Sequence, residues 1–402
     1  STLVDIPSER RLILGSWAKA ESVGKITPVN PLNLLDGEEG DYVIISHHEL
    51  MDAMKPFVAI KEKKGFKPLL VDVDDIYDSF SFGAKDFNAI KRFFRFRYYQ
   101  AKGALLRYGL LVGETSDYVG DPANMPKGVF MDMVPVYNLG TPFTNIHSDS
   151  EYALICGNDD IPDFSLGRFP ARTAEEVADL IAKAESYEGR LPAGEWRITN
   201  AFVTDDEAEF SQIAESLISN LFPVDARILR IFQKNYDYSD LLFIWYRKTS
   251  IKARKELIKA MNDGALTINY VGHGGPNLWT SERLFHINDL DALKNSDKLF
   301  FLTASTCDTS WLDYPTPPVN RSLGERLTLL PDAGAIAVYA PTTGASPSDH
   351  KILMWMLYNG IFNKGIRNIG EAVIFSKIGY RFERSNKYLL DQFILLGDPS
   401  LF

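Results

Sequence analysis

The chain alternates short apolar runs with longer segments whose apolar residues recur every three or four positions. In the first half, apolar runs at 41–46, 68–73 and 108–113 flank helical patterns at 49–64 and 85–102. Short apolar runs bounded by turn residues predict buried strands, whereas the longer period predicts amphipathic helices. The first half is therefore predicted to form a βαβαβ unit.

The same alternation returns in the second half. An irregular excursion rich in Pro, Gly, Asp and Asn at 117–170 precedes a helical pattern at 173–188, and the chain breaks at 191–194. Beyond this break we predict strands at 199–204, 226–231, 266–271, 298–304 and 335–340, and helices at 207–221, 251–261, 351–359 and 369–376. The pattern predicts an α/β protein of two fused subdomains, each with a mainly parallel sheet flanked by helices. We divide it into an N-terminal segment 1–40, a first subdomain 41–192 and a second subdomain 193–402.

Composition narrows the class of protein. The 402 residues are 45% hydrophobic and 24% charged, as in ordinary globular proteins. A formal charge of -10 with scattered Lys and Arg argues against a nucleic acid partner, because phosphate binding needs clustered cations. The sequence also lacks an apolar stretch of the roughly 20 residues that span a bilayer. Its two cysteines, Cys156 and Cys307, provide no disulfide framework.

Candidate chemistry lies directly after two of the predicted strands. Strand 266–271 runs into Gly272, His273 and Gly274, and strand 298–304 runs towards Cys307. If these strands are parallel neighbours, their carboxyl ends bring His273 and Cys307 together. An imidazole beside a thiol favours the nucleophilic thiolate. The main-chain N–H groups of Gly274 and Cys307 could then hold a developing oxyanion.

Simpler interpretations exist for each of these residues. His273 could be a loop histidine with satisfied hydrogen bonds, Cys307 a buried thiol at a strand end, and Cys156 a buried structural thiol. The six histidines show no zinc-ligand spacing with a second His or Cys. The sequence also lacks a phosphate-binding P-loop, a Gly-x-Ser-x-Gly elbow and the glycine spacing of a dinucleotide fingerprint.

The motifs around these residues resemble those of the gingipain-like cysteine peptidases, relatives of caspases and legumain. The motif 269–274 ends in His273 and Gly274, and the motif 303–308 contains Cys307. Further pieces follow in family order at 148–152, 157–159, 167–170, 322–325, 334–337 and 396–401. The resemblance implies a caspase-like fold whose second subdomain is catalytic, and a cysteine endopeptidase that acts on proteins or peptides through a thioester. It implies no cofactor for catalysis, a secreted or cell-surface location, and an immunoglobulin-like domain after the catalytic unit in a longer precursor.

The resemblance leaves several assignments open. The family's carboxylate near the catalytic histidine falls in the stretch 203–207, where we favour Asp206 and place Asp205 second. Gingipains bind structural calcium, and Asp149, Asp159 and Asp160 supply suitable oxygens, although acidic loops are often merely solvated. Two other functions use the same fold: a sortase-like transpeptidase that processes secreted proteins, and a non-catalytic binding module.

Substrate preference is a further point at which the sequence departs from the gingipains proper. Those enzymes carry a Trp over the specificity pocket, but the corresponding loop 341–350 has no Trp, Tyr or Phe. Acidic residues within 205–209 favour a cationic substrate side chain. They equally suit the N-terminus of a helix. We therefore expect at most a modest preference for basic residues.

Overall fold

A computed structural model describes residues 34, 40–100, 105–116, 131–140, 145–157, 159–189, 192–236, 239–240, 248–314, 321–344 and 346–402. The predicted segment 1–40 lies outside the described residues except for Leu34 and Gly40. The described strands are β1 Tyr42–Ser46, β2 Pro68–Asp72, β3 Tyr108–Val112, β4 Tyr137–Gly140, β5 Asn145–Ser148, β6 Ser165–Phe169, β7 Thr199–Thr204, β8 Arg227–Phe232, β9 Ser239–Asp240, β10 Lys248–Thr249, β11 Thr267–Val271, β12 Gly274–Gly275, β13 Leu278–Trp279, β14 Phe285–His286, β15 Phe300–Ser305, β16 Ala335–Pro341 and β17 Phe393–Leu396. The described α-helices are α1 Met51–Lys63, α2 Val73–Ser81, α3 Phe87–Gln100, α4 Ala174–Gly189, α5 Ala208–Leu221, α6 Ile251–Asp263, α7 Leu323–Leu329, α8 Pro347–Tyr358, α9 Ile369–Glu383 and α10 Tyr388–Gln392.

One ten-stranded sheet runs through both halves of the chain. Its strand order is β2-β1-β3-β6-β17-β16-β15-β11-β7-β8. The first four strands come from the first half and the other six from the second half. Within the first four, and among β8, β7, β11, β15 and β16, all paired strands are parallel. The predicted boundary between 192 and 193 separates the strands of these two blocks, since β6 is the last strand of this sheet before it and β7 is the first after it. The separation into subdomains stays a prediction because the sheet is continuous.

The two blocks of strands run in opposite directions. Strand β17 is antiparallel to β16 and parallel to β6. The carboxyl ends of β1, β2 and β3 therefore lie at one edge of the sheet, and those of β11 and β15 lie at the other. Residues that follow β11 and β15 meet at an edge to which the first-half strands present their amino ends.

The strands are apolar on both faces because helices cover the sheet from both sides. In β1, Tyr42 and Ile44 belong to one buried cluster, whereas Val43 and Ile45 belong to another. This alternation is the two-residue period of a strand placed between two layers. Among the described helices, none is long and apolar enough to cross a membrane.

Several elements were not predicted from the sequence, among them two strands of the ten-stranded sheet and helix α2. Strand β6 lies within the stretch 117–170 that we expected to be irregular, and helix α2 begins directly after β2. Strand β17, near the carboxyl terminus, also has no counterpart among the predictions. Helix α8 begins at Pro347 rather than 351, because Ser346 is the N-cap and proline suits the first helical turn.

Candidate active site

The two predicted catalytic loops follow neighbouring parallel strands. Strands β11 and β15 pair with Val271 opposite Ser305. His273 and Cys307 therefore each lie two residues beyond this last pair. The Gly272 N–H donates to the Ser305 carbonyl at 3.2 Å, which continues the contact past the strands. The structure thus brings the two loops to one edge of the sheet, as the sequence predicted.

The main chain of His273 is held on both sides. Its N–H donates to Asp205 Oδ2 at 3.1 Å. Its carbonyl accepts from the Thr280 N–H at 3.0 Å and from the Tyr270 hydroxyl. Asp205 directly follows β7, the strand on the other side of β11, and also accepts from the Asp206 N–H at 2.8 Å. Contacts from three segments therefore determine where the histidine sits.

The imidazole pairs with a carboxylate that we did not select from the sequence. Nε2 of His273 lies 3.2 Å from Oε1 of Glu207, with the two side chains 67% and 49% exposed. The Phe210 ring meets the imidazole edge-on at a centroid distance of 5.3 Å. This corrects the assignment of Asp206 or Asp205 to that role. The short Asp205 side chain is buried and bonded to main-chain N–H groups, whereas the longer Glu207 side chain reaches the ring.

Glycines shape the space around the predicted nucleophile. Cys307 is partly buried, and a Cβ built on Gly344 would lie 3.0 Å from its Sγ. A Cβ built on Gly274 would lie 2.3 Å from Thr306 Oγ1, so Gly274 packs against the loop that carries Cys307. Asp308, the next residue, adopts a left-handed φ of 53°, which is uncommon for a residue other than glycine.

Cys156 has a different environment in the first half of the chain. Its N–H donates to Asp163 Oδ2 at 2.8 Å, and the residue is only partly buried. Along the chain it lies between Ala153 and β6. Strand β6 belongs to the block of first-half strands, not to the block that contains β11 and β15. Cys156 is also less buried than the sequence suggested.

Burial of Asp205 changes its acidity. Burial raises the pKa of Asp205 to about 6, and the nearby carboxylates of Glu207 and Asp206 add to this increase. The hydrogen bonds from the main-chain N–H groups of Asp206 and His273 act in the opposite direction by stabilising the carboxylate. Burial also raises the pKa of the neighbouring Tyr270 well above its usual value, so its hydroxyl stays protonated.

Within the described part of the chain, the side chains of the three residues predicted to bind calcium do not form a group with one another. Both carboxylate oxygens of Asp149 accept from the buried Arg168 guanidinium, each at 2.7 Å. Asp159 accepts from the Ile161 N–H at 3.1 Å, and Asp160 lies 3.3 Å from Lys387 Nζ. Asp149 therefore does not fit a cation, because its charge is already balanced.

Within the described residues, two groups of His, Asp and Glu side chains place ligand atoms close enough to share an ion. They are His48, Asp72 and Asp74, and Asp205, Glu207 and His273. The second group contains His273 and two of the carboxylates beside it. Neither contains a residue that we predicted to bind calcium.

Comparisons with known proteins place the chain among peptidases. Residues 36–402 match the model of peptidase family C25. Gingipain R1 of Porphyromonas gingivalis is 24% identical over 396 residues, covering 94% of this chain and 35% of the relative. Lys-gingipain of the same species is 23% identical over 312 residues, covering 77% of this chain and 16% of the relative. The chain thus spans well under half the length of these relatives.

Solved structures agree with the sequence comparison. The crystal structure of the Arg-specific cysteine proteinase gingipain R superposes with a TM-score of 0.70 at 20% identity, covering 91% of this chain and 79% of that one. A complex of the pro- and mature domains of a Porphyromonas gingivalis gingipain gives a TM-score of 0.68 at 21% identity. This likeness confirms the predicted caspase-like fold.

Proposed function

Because the chain belongs to peptidase family C25, we propose that it is a cysteine endopeptidase with Cys307 as nucleophile and His273 as acid and base. His273 removes the thiol proton, and the thiolate attacks the scissile carbonyl carbon. The main-chain N–H groups of Gly274 and Cys307 stabilise the oxyanion. Collapse of this intermediate releases the amine, which takes a proton from His273, and water then cleaves the thioester. Every step uses groups of the chain and water.

One observation carries this proposal: His273 and Cys307 extend equally far beyond a matched pair of residues in adjacent parallel strands. Because Glu207 faces Nε2 of His273, Nδ1 is the nitrogen left for the thiol proton. A carboxylate on one nitrogen orients the ring and stabilises the imidazolium that forms when the other nitrogen is protonated. The arrangement therefore supplies a nucleophile, a base and an orienting anion.

We propose hydrolysis rather than transfer to an amine, because the chain belongs to a family of peptidases. The His273 side chain is 67% exposed, so water can approach the base in the thioester stage. A sortase-like transpeptidase would use the same two residues with an amine acceptor, whereas a binding module would use neither. Product analysis with and without an added amine distinguishes hydrolysis from transfer.

The proposed substrates are proteins or peptides, with at most a modest preference for basic residues before the scissile bond. Glu207 and Glu209 place negative charge beside His273 and in the first turn of α5. The loop after β16 supplies glycine and small polar residues rather than an aromatic lid. Cleavage of a diverse peptide library measures this preference, and strong selection for acidic residues would contradict it. By analogy with the family, we propose a secreted or cell-surface location.

The experiment that tests the proposed function compares substitutions of the two cysteines. Cys307→Ala should abolish peptide hydrolysis and leave the melting temperature nearly unchanged, because a partly buried thiol at a strand end contributes little packing. Cys156→Ala is the matched control and should retain activity. Hydrolysis is measured with a fluorogenic peptide library, and folding is measured by circular dichroism. Loss of activity in Cys156→Ala with retention in Cys307→Ala would refute the assignment.

A further inference from the structure

The carbonyl of His273 is clamped by two donors that the proposed chemistry does not use. The Thr280 N–H donates to it at 3.0 Å, and the hydroxyl of Tyr270, a residue of β11, also donates to it. Tyr270 is buried and stacks on the buried ring of Trp279, with centroids 4.3 Å apart and planes inclined by 7°. The hydroxyl is thus held in place by a rigid aromatic pair.

Thr280 contributes to the same clamp at a conformational cost. It adopts a φ of 58°, a strained value for a β-branched residue, and its side chain is buried. This conformation directs its N–H at the His273 carbonyl. A strained backbone conformation of this kind persists only where the surrounding contacts enforce it, so the packing around Thr280 holds its N–H in this position.

The clamp determines the direction of the next N–H along the chain. The peptide group between His273 and Gly274 is planar and trans, so its C=O and N–H point to opposite sides. The Thr280 N–H bond to His273 makes the pair Gly274 and Trp279 a non-hydrogen-bonded pair of the β12–β13 ladder. The Gly274 N–H is therefore directed away from both the clamp and β13.

Gly274 also packs against the loop of the nucleophile. A Cβ built on Gly274 would come within 2.3 Å of Thr306 Oγ1, next to Cys307 in the chain. We propose that Tyr270 is a positioning residue for the oxyanion site, whose hydroxyl fixes the His273–Gly274 peptide so that the Gly274 N–H meets the developing oxyanion. This inference rests on the proposed peptidase function. Burial raises the pKa of the Tyr270 phenol well above its usual value, so the hydroxyl stays protonated and acts as a donor at neutral pH.

The test distinguishes an effect on the oxyanion site from an effect on the reactivity of the nucleophile. Tyr270→Phe removes one hydroxyl and keeps the ring that stacks on Trp279. We expect kcat to fall roughly tenfold, less than the 10² to 10³ lost with a whole oxyanion donor, while KM changes less than about twofold. Affinity for a peptide aldehyde, which forms a tetrahedral adduct with the thiol, should fall by a similar factor. Alkylation of Cys307 by iodoacetamide forms no oxyanion, so its rate should not change.

Tyr152→Phe is the matched control. The Tyr152 hydroxyl is also buried and donates to a main-chain carbonyl, that of Pro135, at 2.8 Å in the other half of the chain. Its loss should leave kcat, aldehyde affinity and alkylation unchanged.

Each other outcome overturns the inference in a distinguishable way. Equal losses of hydrolysis and alkylation in Tyr270→Phe would show that the hydroxyl acts on the nucleophile or on folding instead. A kcat like that of Tyr152→Phe would show that it has no positioning role, while leaving the proposed function intact. Absence of hydrolysis by the unsubstituted chain would overturn the proposed function together with this inference.

Discussion

The carboxylates beside His273 divide two tasks between them. Asp205 is buried and binds the main-chain N–H of His273, whereas Glu207 is half-exposed and binds the imidazole. A short side chain at the end of β7 reaches only nearby main-chain groups, and the next residues turn into α5. The position of the histidine and the orientation of its ring therefore depend on different residues.

Glu207→Gln should lower kcat roughly two- to fivefold, because exposed ion pairs contribute only about 0.2–1 kcal/mol. The alkylation rate of Cys307 should fall with it, since the imidazole loses its orienting anion. The measurement is kcat on a fixed peptide together with iodoacetamide kinetics. Asp206→Asn is the matched control and should have the smaller effect; a larger loss there would restore Asp206 as the orienting carboxylate.

Asp205 should make stability depend on pH. Its pKa rises from 3.8 to about 6 on folding, so its contribution to stability is present below about pH 4 and is lost as pH rises through 6. The difference is at most about 3 kcal/mol. In Asp205→Asn this loss disappears, so the free energy of unfolding relative to the unsubstituted protein should be higher at pH 7 than at pH 4. Urea unfolding at both pH values measures it, and a pH-independent difference would contradict the raised pKa.

The sequence could predict which loops carry the candidate site but not which of three consecutive acidic residues faces the ring of His273. Strand ends are marked by apolar runs and glycines, so His273 and Cys307 could be located directly. The choice among 205, 206 and 207 depends on how the chain leaves β7, which propensity does not specify. The role inferred for Tyr270 likewise depends on a bond to a carbonyl three residues later.

At the scale of elements, the polarity of β6 explains why that strand was not predicted. Strands β3 and β11 are wholly buried and largely apolar, and both were predicted. Strand β6 contains Gly167 and Arg168, residues that weaken a strand pattern, yet Arg168 is completely buried. Its guanidinium is neutralised by Asp149 and donates to the carbonyls of Gly113, Val134 and Pro135. Arg168 can be buried in this strand because Asp149, 19 residues earlier in the chain, neutralises its charge. The local pattern of apolar and polar residues does not show this pairing.

Arg168→Met should destabilise the protein by about 3–5 kcal/mol, because it leaves the Asp149 carboxylate buried and unpaired. Urea unfolding measures the loss. Arg230→Met removes a half-exposed pair with Glu215 and is the matched control, with an expected change below about 1 kcal/mol. Equal effects of the two substitutions would mean that the buried pair carries no special weight. Stabilisation of Arg168→Met by calcium would show that Asp149 can accept a cation instead.

At the scale of the whole molecule, a few buried polar residues join the two halves. Strands β6 and β17 share the single pair Arg168 and Leu396. Nearby, Lys61 of α1 forms a buried ion pair with Asp398 and donates to Ser400 at 2.7 Å. The Tyr42 hydroxyl of β1 donates to Asp398 at 2.7 Å. The end of the described chain is thereby fastened to its first strand and first helix.

Asp398→Asn should therefore weaken the whole molecule rather than one half. We expect a loss of about 3–5 kcal/mol in the free energy of unfolding, because the Lys61 ammonium stays buried without its counter-ion. Hydrogen exchange in rising urea should show β1 and β16 losing protection together in both proteins. Asp263→Asn, which breaks an exposed pair with Lys259, should change the free energy by less than about 0.5 kcal/mol. Loss of protection at separate urea concentrations would mean that the predicted subdomains 41–192 and 193–402 fold independently.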